Sequence, residues 1–198
     1  MKLIQALLEQ KKILVPRRSK EERAKNYSLI VQKKIQQYIK DGSKGNLDLR
    51  GTPITSLPDN LKYVGGDLNL YKSKITSLPD NLEYVGGDLN LFNSGIKSLP
   101  DNLKHIAGTL FLENTPITSL PDNLKVEKDL NLMHSAIKSL PDNLVVLRNL
   151  SIDYTSIKFL PNNLKVGANL WINPSPLARK YSDEEIRNLA DIGRRIFR

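Results

Sequence analysis

The stretch "SLPDN" occupies residues 56–60 and recurs, the last time as "FLPNN", at residues 77–81, 98–102, 119–123, 139–143 and 159–163. The intervals between successive copies are 21, 21, 21, 20 and 20 residues. A motif that returns at a fixed period of about 20–50 residues is typical of a solenoid, in which each repeat forms one turn and buries its apolar side against its neighbours. The repeat therefore predicts the fold of most of this chain of 198 residues.

Each copy of the motif follows a pair of aliphatic residues separated by one residue. The pairs are Leu47/Leu49, Leu68/Leu70, Leu89/Leu91, Leu110/Leu112, Leu130/Leu132, Leu150/Ile152 and, with no motif after it, Leu170/Ile172. Alternation with period two predicts a short strand whose paired side chains face inward. The "LPDN" arc should be extended or a short turn, because proline has no N–H and biases the residue before it towards extended geometry. We therefore expect seven parallel strands, one per turn.

Two further features of the repeat concern its turns. A hydroxyl residue stands three positions after each strand pair, and we expect these hydroxyls to satisfy backbone groups of the turn; they are Thr52, Ser73, Ser94, Thr115, Ser135 and Thr155. The Gly-Gly pairs at 65–66 and 86–87 should permit the bend into the next strand. Later repeats lack such a pair and lose one residue between the leucine of "NL" and the next strand, which explains the change of period.

The registered "LPDNL…VGGDL" pattern resembles leucine-rich repeat proteins of the short bacterial LPx type. It is closer still to arrays with this pattern in tailed phages and some bacteria, and the resemblance covers residues 46–177. It implies an α/β repeat solenoid with short parallel strands, capped by N- and C-terminal helices. It also implies a non-enzymatic, protein-binding module that is phage-encoded and inhibits a host complex such as a defence machine. A virion structural component is the alternative that the same origin allows.

The chain divides into a helical N-terminal arm and cap (1–45), the repeat array (46–177) and a C-terminal capping helix (178–198). A capping box, Ser182-x-x-Glu185, predicts the start of the C-terminal helix. Its expected apolar stripe towards the last turn comprises Ile186, Leu189, Ala190, Ile196 and Phe197. We expect Arg194, Arg195 and Arg198 at the end of this helix, where cations suit the helix dipole.

The N-terminal arm contains two amphipathic segments separated by "VPRRS" at 15–19. A second capping box, Ser19-x-x-Glu22, predicts a helix that covers the first repeat with an apolar stripe of Tyr27, Ile30, Val31, Ile35, Tyr38 and Ile39. One helix suffices for a cap, so a helix over residues 2–14 is surplus. It either packs on the second helix or is offered to a partner or to a second copy of the chain, as an oligomer contact.

The charge of +9 is concentrated in the arm, since residues 1–45 carry +8 and residues 46–173 carry −1. The basic residues of this region are Lys11, Lys12, Arg17, Arg18, Lys20, Arg23, Lys25, Lys33 and Lys34. They form either a solvated cap or an electrostatic dock for an acidic protein or a nucleoprotein surface. Binding to nucleic acid through this arm is the second functional hypothesis, and such contacts should be to phosphates.

The sequence offers little for catalysis. It has no cysteine, no phosphate-binding "GxxxxGK[ST]" motif and no "GxSxG" motif, and its two histidines, His105 and His134, occupy different positions of the repeat. We expect no enzyme, no cofactor and no metal site. No run of about 18 apolar residues exists, and the start of the chain lacks the features of a signal peptide. We therefore expect no membrane span and a cytoplasmic location, in a bacterial host if the protein is phage-encoded.

The residues around each strand pair should form three outward columns on the concave side of the solenoid. The first column precedes the pair and reads Asn46, Asp67, Asp88, Thr109, Asp129, Asn149, Asn169. The middle column lies within the pair and reads Asp48, Asn69, Asn90, Phe111, Asn131, Ser151, Trp171. The third column follows the pair and reads Arg50, Tyr71, Phe92, Glu113, Met133, Asp153, Asn173.

Most column residues are polar, as a solvated face requires, but Tyr71, Phe92, Phe111 and Met133 are not. Clustered apolar side chains on a surface, beside charges such as Asp67 and Asp88, often mark a binding site. We predict that these six residues contact a protein partner. The alternative is that the large side chains only lean on one another and cover their smaller neighbours.

Overall fold

In a computed structural model, which describes residues 19–198, the array is a parallel β-solenoid. Residues 19–198 form three helices and fifteen two-residue strands. The helices are α1 (Lys20–Lys40), α2 (Pro176–Lys180) and α3 (Asp183–Leu189). The strands are β1 (Leu47–Asp48), β2 (Tyr63–Val64), β3 (Leu68–Asn69), β4 (Tyr84–Val85), β5 (Leu89–Asn90), β6 (His105–Ile106), β7 (Leu110–Phe111), β8 (Lys125–Val126), β9 (Leu130–Asn131), β10 (Val145–Val146), β11 (Leu150–Ser151), β12 (Lys165–Val166), β13 (Leu170–Trp171), β14 (Asp191–Ile192) and β15 (Ile196–Phe197).

The strands form two parallel sheets that run the length of the solenoid. The eight odd-numbered strands pair in chain order in one sheet, and the seven even-numbered strands pair in chain order in the other. Equivalent residues lie beside one another in the register, as Leu47 does beside Leu68. The backbone N–H of Leu47 donates to the carbonyl of Asp67 (2.7 Å), and Leu68 repeats this bond to Asp88 (2.8 Å).

The prediction of one strand per turn was therefore wrong, because each turn contributes a second strand just before the bend. In this second strand a single inward residue, such as Val64 or Val85, follows one outward residue. A single inward residue gives no period-two pattern, so the sequence of this segment does not indicate a strand. The strand exists because equivalent segments of adjacent turns stack in register, as Tyr63 and Tyr84 do.

The core is one continuous cluster of aliphatic side chains, to which each repeat contributes the same positions. In the second repeat these are Leu68, Leu70, Ile75, Leu78, Leu82 and Val85, each at most 5 % exposed. The "PDN" arcs are short turns, as predicted; the N–H of Leu82, for example, donates to the carbonyl of Pro79 (3.0 Å). Each leucine of the repeat is thus buried by the turns on either side, which confirms the solenoid inferred from the repeat.

Side chains of the first column form a second ladder between turns. Asp67 Oδ1 accepts the N–H of Asp88 (2.8 Å), and Asp88 Oδ1 accepts the N–H of Thr109 (2.8 Å). Beyond Thr109 the ladder resumes at Asp129, whose Oδ1 accepts the N–H of Asn149 (3.0 Å). The first column is therefore part of the scaffold that joins adjacent turns.

The hydroxyl residues act within their own turns. Thr52, Thr115 and Thr155 are buried, and each donates to the carbonyl three residues earlier at 2.6–2.7 Å. This confirms at the threonines that hydroxyls satisfy the backbone of the turn. The buried hydroxyls of Ser94 and Ser135, in contrast, have no hydrogen-bond partner within residues 19–198.

Helix α1 covers the first turn, as predicted, and begins at the expected capping box, in which Ser19 Oγ accepts the N–H of Glu22. Val31 and Ile35 are buried against the core, with Tyr38 and Ile39 half-buried beside them. Tyr27 and Ile30 of the predicted stripe are instead exposed. The expected helix over residues 2–14 lies outside the described residues.

The C-terminal segment differs from the single capping helix that the sequence predicts. The capping box at Ser182 is present, but α3 ends at Leu189 and the chain then adds β14 and β15 to the two sheets. Ile196 lies beside Leu170, and the N–H of Leu170 donates to the carbonyl of Arg195 (2.9 Å). The segment forms a further turn of the solenoid instead of a longer helix because its backbone groups form hydrogen bonds with those of the preceding turn.

The arginines of this segment consequently do not lie at a helix end. Arg194 and Arg195 lie between β14 and β15, and Arg198 follows β15. The Nε of Arg198 donates to Asp183 Oδ1 (2.6 Å), and its guanidinium also donates to the carbonyls of Ala178 and Tyr181. Arg198 thus ties the last strand to the segment that contains the two short helices.

Gly87→Ala should destabilise the solenoid because adjacent turns approach closely there. A Cβ at this position would lie 2.1 Å from Asp67 Oδ1 and 2.8 Å from the backbone nitrogen of Asp67. We expect a loss of about 1–3 kcal/mol in the free energy of unfolding, measured by urea denaturation. Gly95→Ala is the control, since Ala136 occupies the equivalent position of a later repeat. Equal losses in the two variants would contradict the close approach at Gly87.

Thr115→Val keeps the shape of the side chain but removes the hydroxyl that bonds the carbonyl of Leu112 at 2.6 Å. Because that carbonyl lies in the core, we expect a loss of about 1–3 kcal/mol in the free energy of unfolding. Ser94→Ala removes a buried hydroxyl without a partner among the described residues and should be nearly neutral or stabilising. Thermal and urea denaturation of the two variants test this difference, and a neutral Thr115→Val would show that its hydroxyl bond is dispensable.

Candidate binding face on the eight-stranded sheet

The outward face of the eight-stranded sheet, made of the three columns from Asn46 to Asn173, is the candidate binding face. On this face, asparagines of the middle column accept hydrogen bonds from the backbone of residues in the third column. Asn90 Oδ1 accepts the N–H of Phe92 (3.1 Å), and Asn69 and Asn131 do the same for Tyr71 and Met133. An asparagine in the middle column therefore sets the backbone from which the third-column side chain projects.

The structure brings Tyr71 and Phe92 together. Their rings are stacked, with centroids 5.4 Å apart and planes 18° from parallel, and both are half-buried. The ammonium group of Lys72 lies 5.0 Å from the centre of the Tyr71 ring. The two aromatic side chains support each other, as the alternative interpretation of the sequence expects, and still present part of their surface to solvent.

Phe111 belongs to a different part of the outward face. It lies in the middle column of β7 and faces Trp171 across a shallow hollow of about 260 Å³, with Asn131 and Ser151 between them. Trp171 stacks on Phe197 with ring centroids 4.9 Å apart. Trp171 was placed in the middle column from the sequence but was not among the predicted contact residues.

The turn that contains β7 departs from the repeat in the first and middle columns. Thr109 replaces an Asp or Asn in the first column, so it has no carboxylate or amide oxygen to continue the side-chain ladder. Phe111 replaces an asparagine in the middle column and cannot accept the N–H of residue 113. Glu113 stands in the third column between Phe92 and Met133. This turn therefore lacks two hydrogen bonds that other turns form, the first-column bond to the next turn and the bond from the middle column to the third-column N–H.

Glu113 is buried on this otherwise solvated face, with 6 % of its surface exposed. Its Oε1 accepts from Asn131 Nδ2 (2.5 Å), whereas its Oε2 is buried without a hydrogen-bond partner among residues 19–198. Burial raises the pKa of the Glu113 carboxyl, although bonds from its own backbone N–H and from Asn131 oppose the rise. Glu113 was not among the predicted site residues; the available signal was an acid in a column position held by large apolar side chains in the adjacent turns.

The predicted contact residues Asp67 and Asp88 lie on the outward face but serve the scaffold through the first-column ladder. Asp67 Oδ2 also accepts from Asn46 Nδ2 (3.2 Å). Lys128 Nζ lies 4.0 Å from Asp88 Oδ1. Replacing either aspartate would therefore change the stability of the array as well as its surface charge.

The basic arm is only partly described. Lys11, Lys12, Arg17 and Arg18 lie outside the described residues, while Lys20, Arg23, Lys25, Lys33 and Lys34 are on α1. Lys34 Nζ donates to the carbonyl of Asp48 (2.5 Å) at the open edge of the eight-stranded sheet. Lys34 therefore caps a strand edge in addition to its contribution to the charge of the arm.

Each of the two histidines has an aromatic neighbour. His105 Nε2 lies 2.9 Å from Glu127 Oε1 and its ring meets that of Tyr84 edge-on, while the His134 ring stacks on Tyr154 at 4.3 Å. Within residues 19–198, no three His, Asp or Glu side chains are grouped so that they could hold a metal ion. The same part of the chain contains no helix with the length and apolar character needed to cross a membrane.

No known protein-family profile matches this sequence, and no curated protein matches it significantly. Any assignment of function to the outward face therefore depends on its own residues.

Glu113→Gln should change the pH dependence of stability. Because burial raises the folded-state pKa above the ordinary value of about 4.3, ionisation of Glu113 lowers the free energy of unfolding as the pH rises from about 4 towards neutral. The glutamine variant lacks this loss, so its stability relative to the wild type should increase over that range. Urea denaturation of both proteins at pH 4 and pH 7 measures the change, and a constant difference between them would contradict it.

Proposed function

We propose that this protein is a non-enzymatic, leucine-rich-repeat-type binding module that holds a protein partner on its outward face. The observation that carries the proposal is the departure of the turn containing β7 from the repeat, where Thr109 and Phe111 replace residues that serve the scaffold in other turns. Positions that only maintain a solenoid are repeated from turn to turn. A turn that abandons these bonds and places an aromatic side chain on the surface favours a role in binding.

The apolar residues of this face suit a protein partner. Tyr71, Phe92, Phe111, Met133 and Trp171 are all half-buried, so each retains solvent-accessible surface that a partner could cover. Aromatic residues are enriched among the residues that contribute most to binding energy at protein interfaces. The asparagines of the middle column supply rigid polar surroundings, because each is already bonded to the backbone.

The leucine-rich repeat assignment is part of the same proposal, and the inward pairs such as Leu68 and Leu70 support it. The resemblance to phage arrays makes a bacterial host complex the first class of partner to consider. Inhibition of that complex is the activity to measure once a partner is isolated. A virion component would instead co-purify with phage particles.

The decisive experiment is a pull-down from nuclease-treated bacterial lysate with three forms of the full chain as bait. The first is the wild type, and the second carries alanine at Tyr71, Phe92 and Phe111. The third is a matched control with alanine at Tyr63, Leu147 and Phe159, three exposed apolar residues outside the columns. A partner retained by the first and third baits and lost from the second supports the proposal, whereas release of the partner by nuclease favours nucleic-acid binding.

For an isolated partner, the Tyr71/Phe92/Phe111 triple alanine variant should weaken binding by about 2 kcal/mol or more, because interface aromatic residues dominate binding energy. Its melting temperature should fall only slightly, since the loss of the Tyr71–Phe92 stack costs about 0.5–1.5 kcal/mol. Calorimetric titration and thermal denaturation measure the two effects. A variant that melts many degrees lower yet binds normally would show that these side chains serve packing alone.

A further inference from the structure

Glu113 is a buried acid whose second oxygen the described part of the chain leaves without a partner. We propose that this carboxylate anchors a basic side chain of the protein partner, with arginine preferred to lysine. The inference rests on the proposed protein-binding function and names the chemistry of the group that is bound.

Glu113 differs from Asp153, the acid two turns further on in the third column, in how its carboxylate oxygens are hydrogen-bonded. Both oxygens of Asp153 are satisfied, Oδ1 by the N–H of Asn173 (2.7 Å) and Oδ2 by Ser151 Oγ (3.1 Å). Glu113 has Asn131 on Oε1 and no partner on Oε2 among residues 19–198. A buried ionised carboxylate is costly unless it is paired with a charge or with hydrogen-bond donors.

The scaffold does not require an acid at position 113. Other turns have Arg50, Tyr71, Phe92 and Met133 in the same column, so the solenoid folds without a negative charge or a carboxylate at this position. Glu113 thus carries an electrostatic cost that the solenoid avoids elsewhere. A cationic ligand group that donates to Oε2 would offset this cost in the complex.

The charge of the outward face agrees with a basic ligand. Between Asn46 and Asn173 the three columns contain six acidic residues and one basic residue, although the whole chain carries +9. The one basic residue, Arg50, is already paired with Asp48 (2.8 Å). The face is therefore complementary in charge to a partner segment with exposed Arg or Lys.

The neighbours of Glu113 favour a guanidinium over an ammonium group. Phe92 and Met133 stand on either side of Glu113 in the column, and Phe111 lies two residues before it on β7. A planar guanidinium can stack on an aromatic ring while it donates two hydrogen bonds to a carboxylate. Met133 has a flexible thioether side chain that can move aside to admit it.

The test is an NMR titration of the isotope-labelled full chain with N-acetyl-arginine methylamide. N-acetyl-citrulline methylamide is the matched probe, because its side chain has nearly the same shape and no charge. We expect the arginine probe to shift the amide signals of Phe92, Glu113 and Asn131 and to bind about tenfold more tightly than citrulline, since charge-assisted hydrogen bonds are stronger than neutral ones. Glu113→Gln should abolish this preference, whereas Asp153→Asn should retain it.

Equal affinity for the two probes in the wild type would overturn the inference, even if Glu113→Gln did not fold. Persistence of the preference in a folded Glu113→Gln variant would overturn it too, as would shifts centred on Asp67, Asp88 or Asp129. Because the titration needs no partner, its failure is distinguishable from failure of the proposed function. A partner that depends on Tyr71, Phe92 and Phe111 would still support protein binding if the arginine probe did not bind.

Discussion

The structure depends on backbone hydrogen bonds between equivalent strands of adjacent turns, such as the bond from the N–H of Leu47 to the carbonyl of Asp67 (2.7 Å). These bonds form only if every turn has nearly the same path, so the leucines of each turn lie beside those of the next and bury one another. A single turn has neither the ladder nor the burial, and for this reason the sequence must repeat. The same constraint continues the solenoid through β14 and β15, where a helix was expected.

The sequence predicted the solenoid, the inward leucines, the turns and α1, because these features depend on apolar period and on proline and capping chemistry. It could not predict the second sheet, since a segment such as Tyr63–Val64 has a single inward residue and leaves no period to detect. Backbone geometry was also hidden. Lys72 and Tyr154 adopt positive φ angles of 51° and 55°, which their residue types do not favour. At Lys72 the backbone N–H donates to the carbonyl of Phe92 in the next turn, and this bond offsets the unfavourable backbone conformation.

The candidate face was predicted in outline, because residues around each strand pair must point outward if the pair points inward. The sequence placed Tyr71 and Phe92 in adjacent turns of one column, and the structure stacks them. It could not identify Glu113, since burial of a surface-column residue depends on neighbours from other turns. It also assigned Asp67 and Asp88 to partner contact alone, although the regular spacing of these acids reflects their bonds to the next turn.

The interruption of the first-column ladder at Thr109 has a mechanical consequence. In a solenoid, each turn is held only by its two neighbours, so the weakest contact between turns sets where the molecule separates into cooperative units. Between β7 and β9 the backbone bonds continue, but the side-chain ladder that reinforces other contacts is missing. The bond between Glu113 and Asn131 spans this seam. A ligand that contacted both residues would brace the two halves of the array against each other, so the proposed binding site coincides with the contact between turns that lacks the first-column bond.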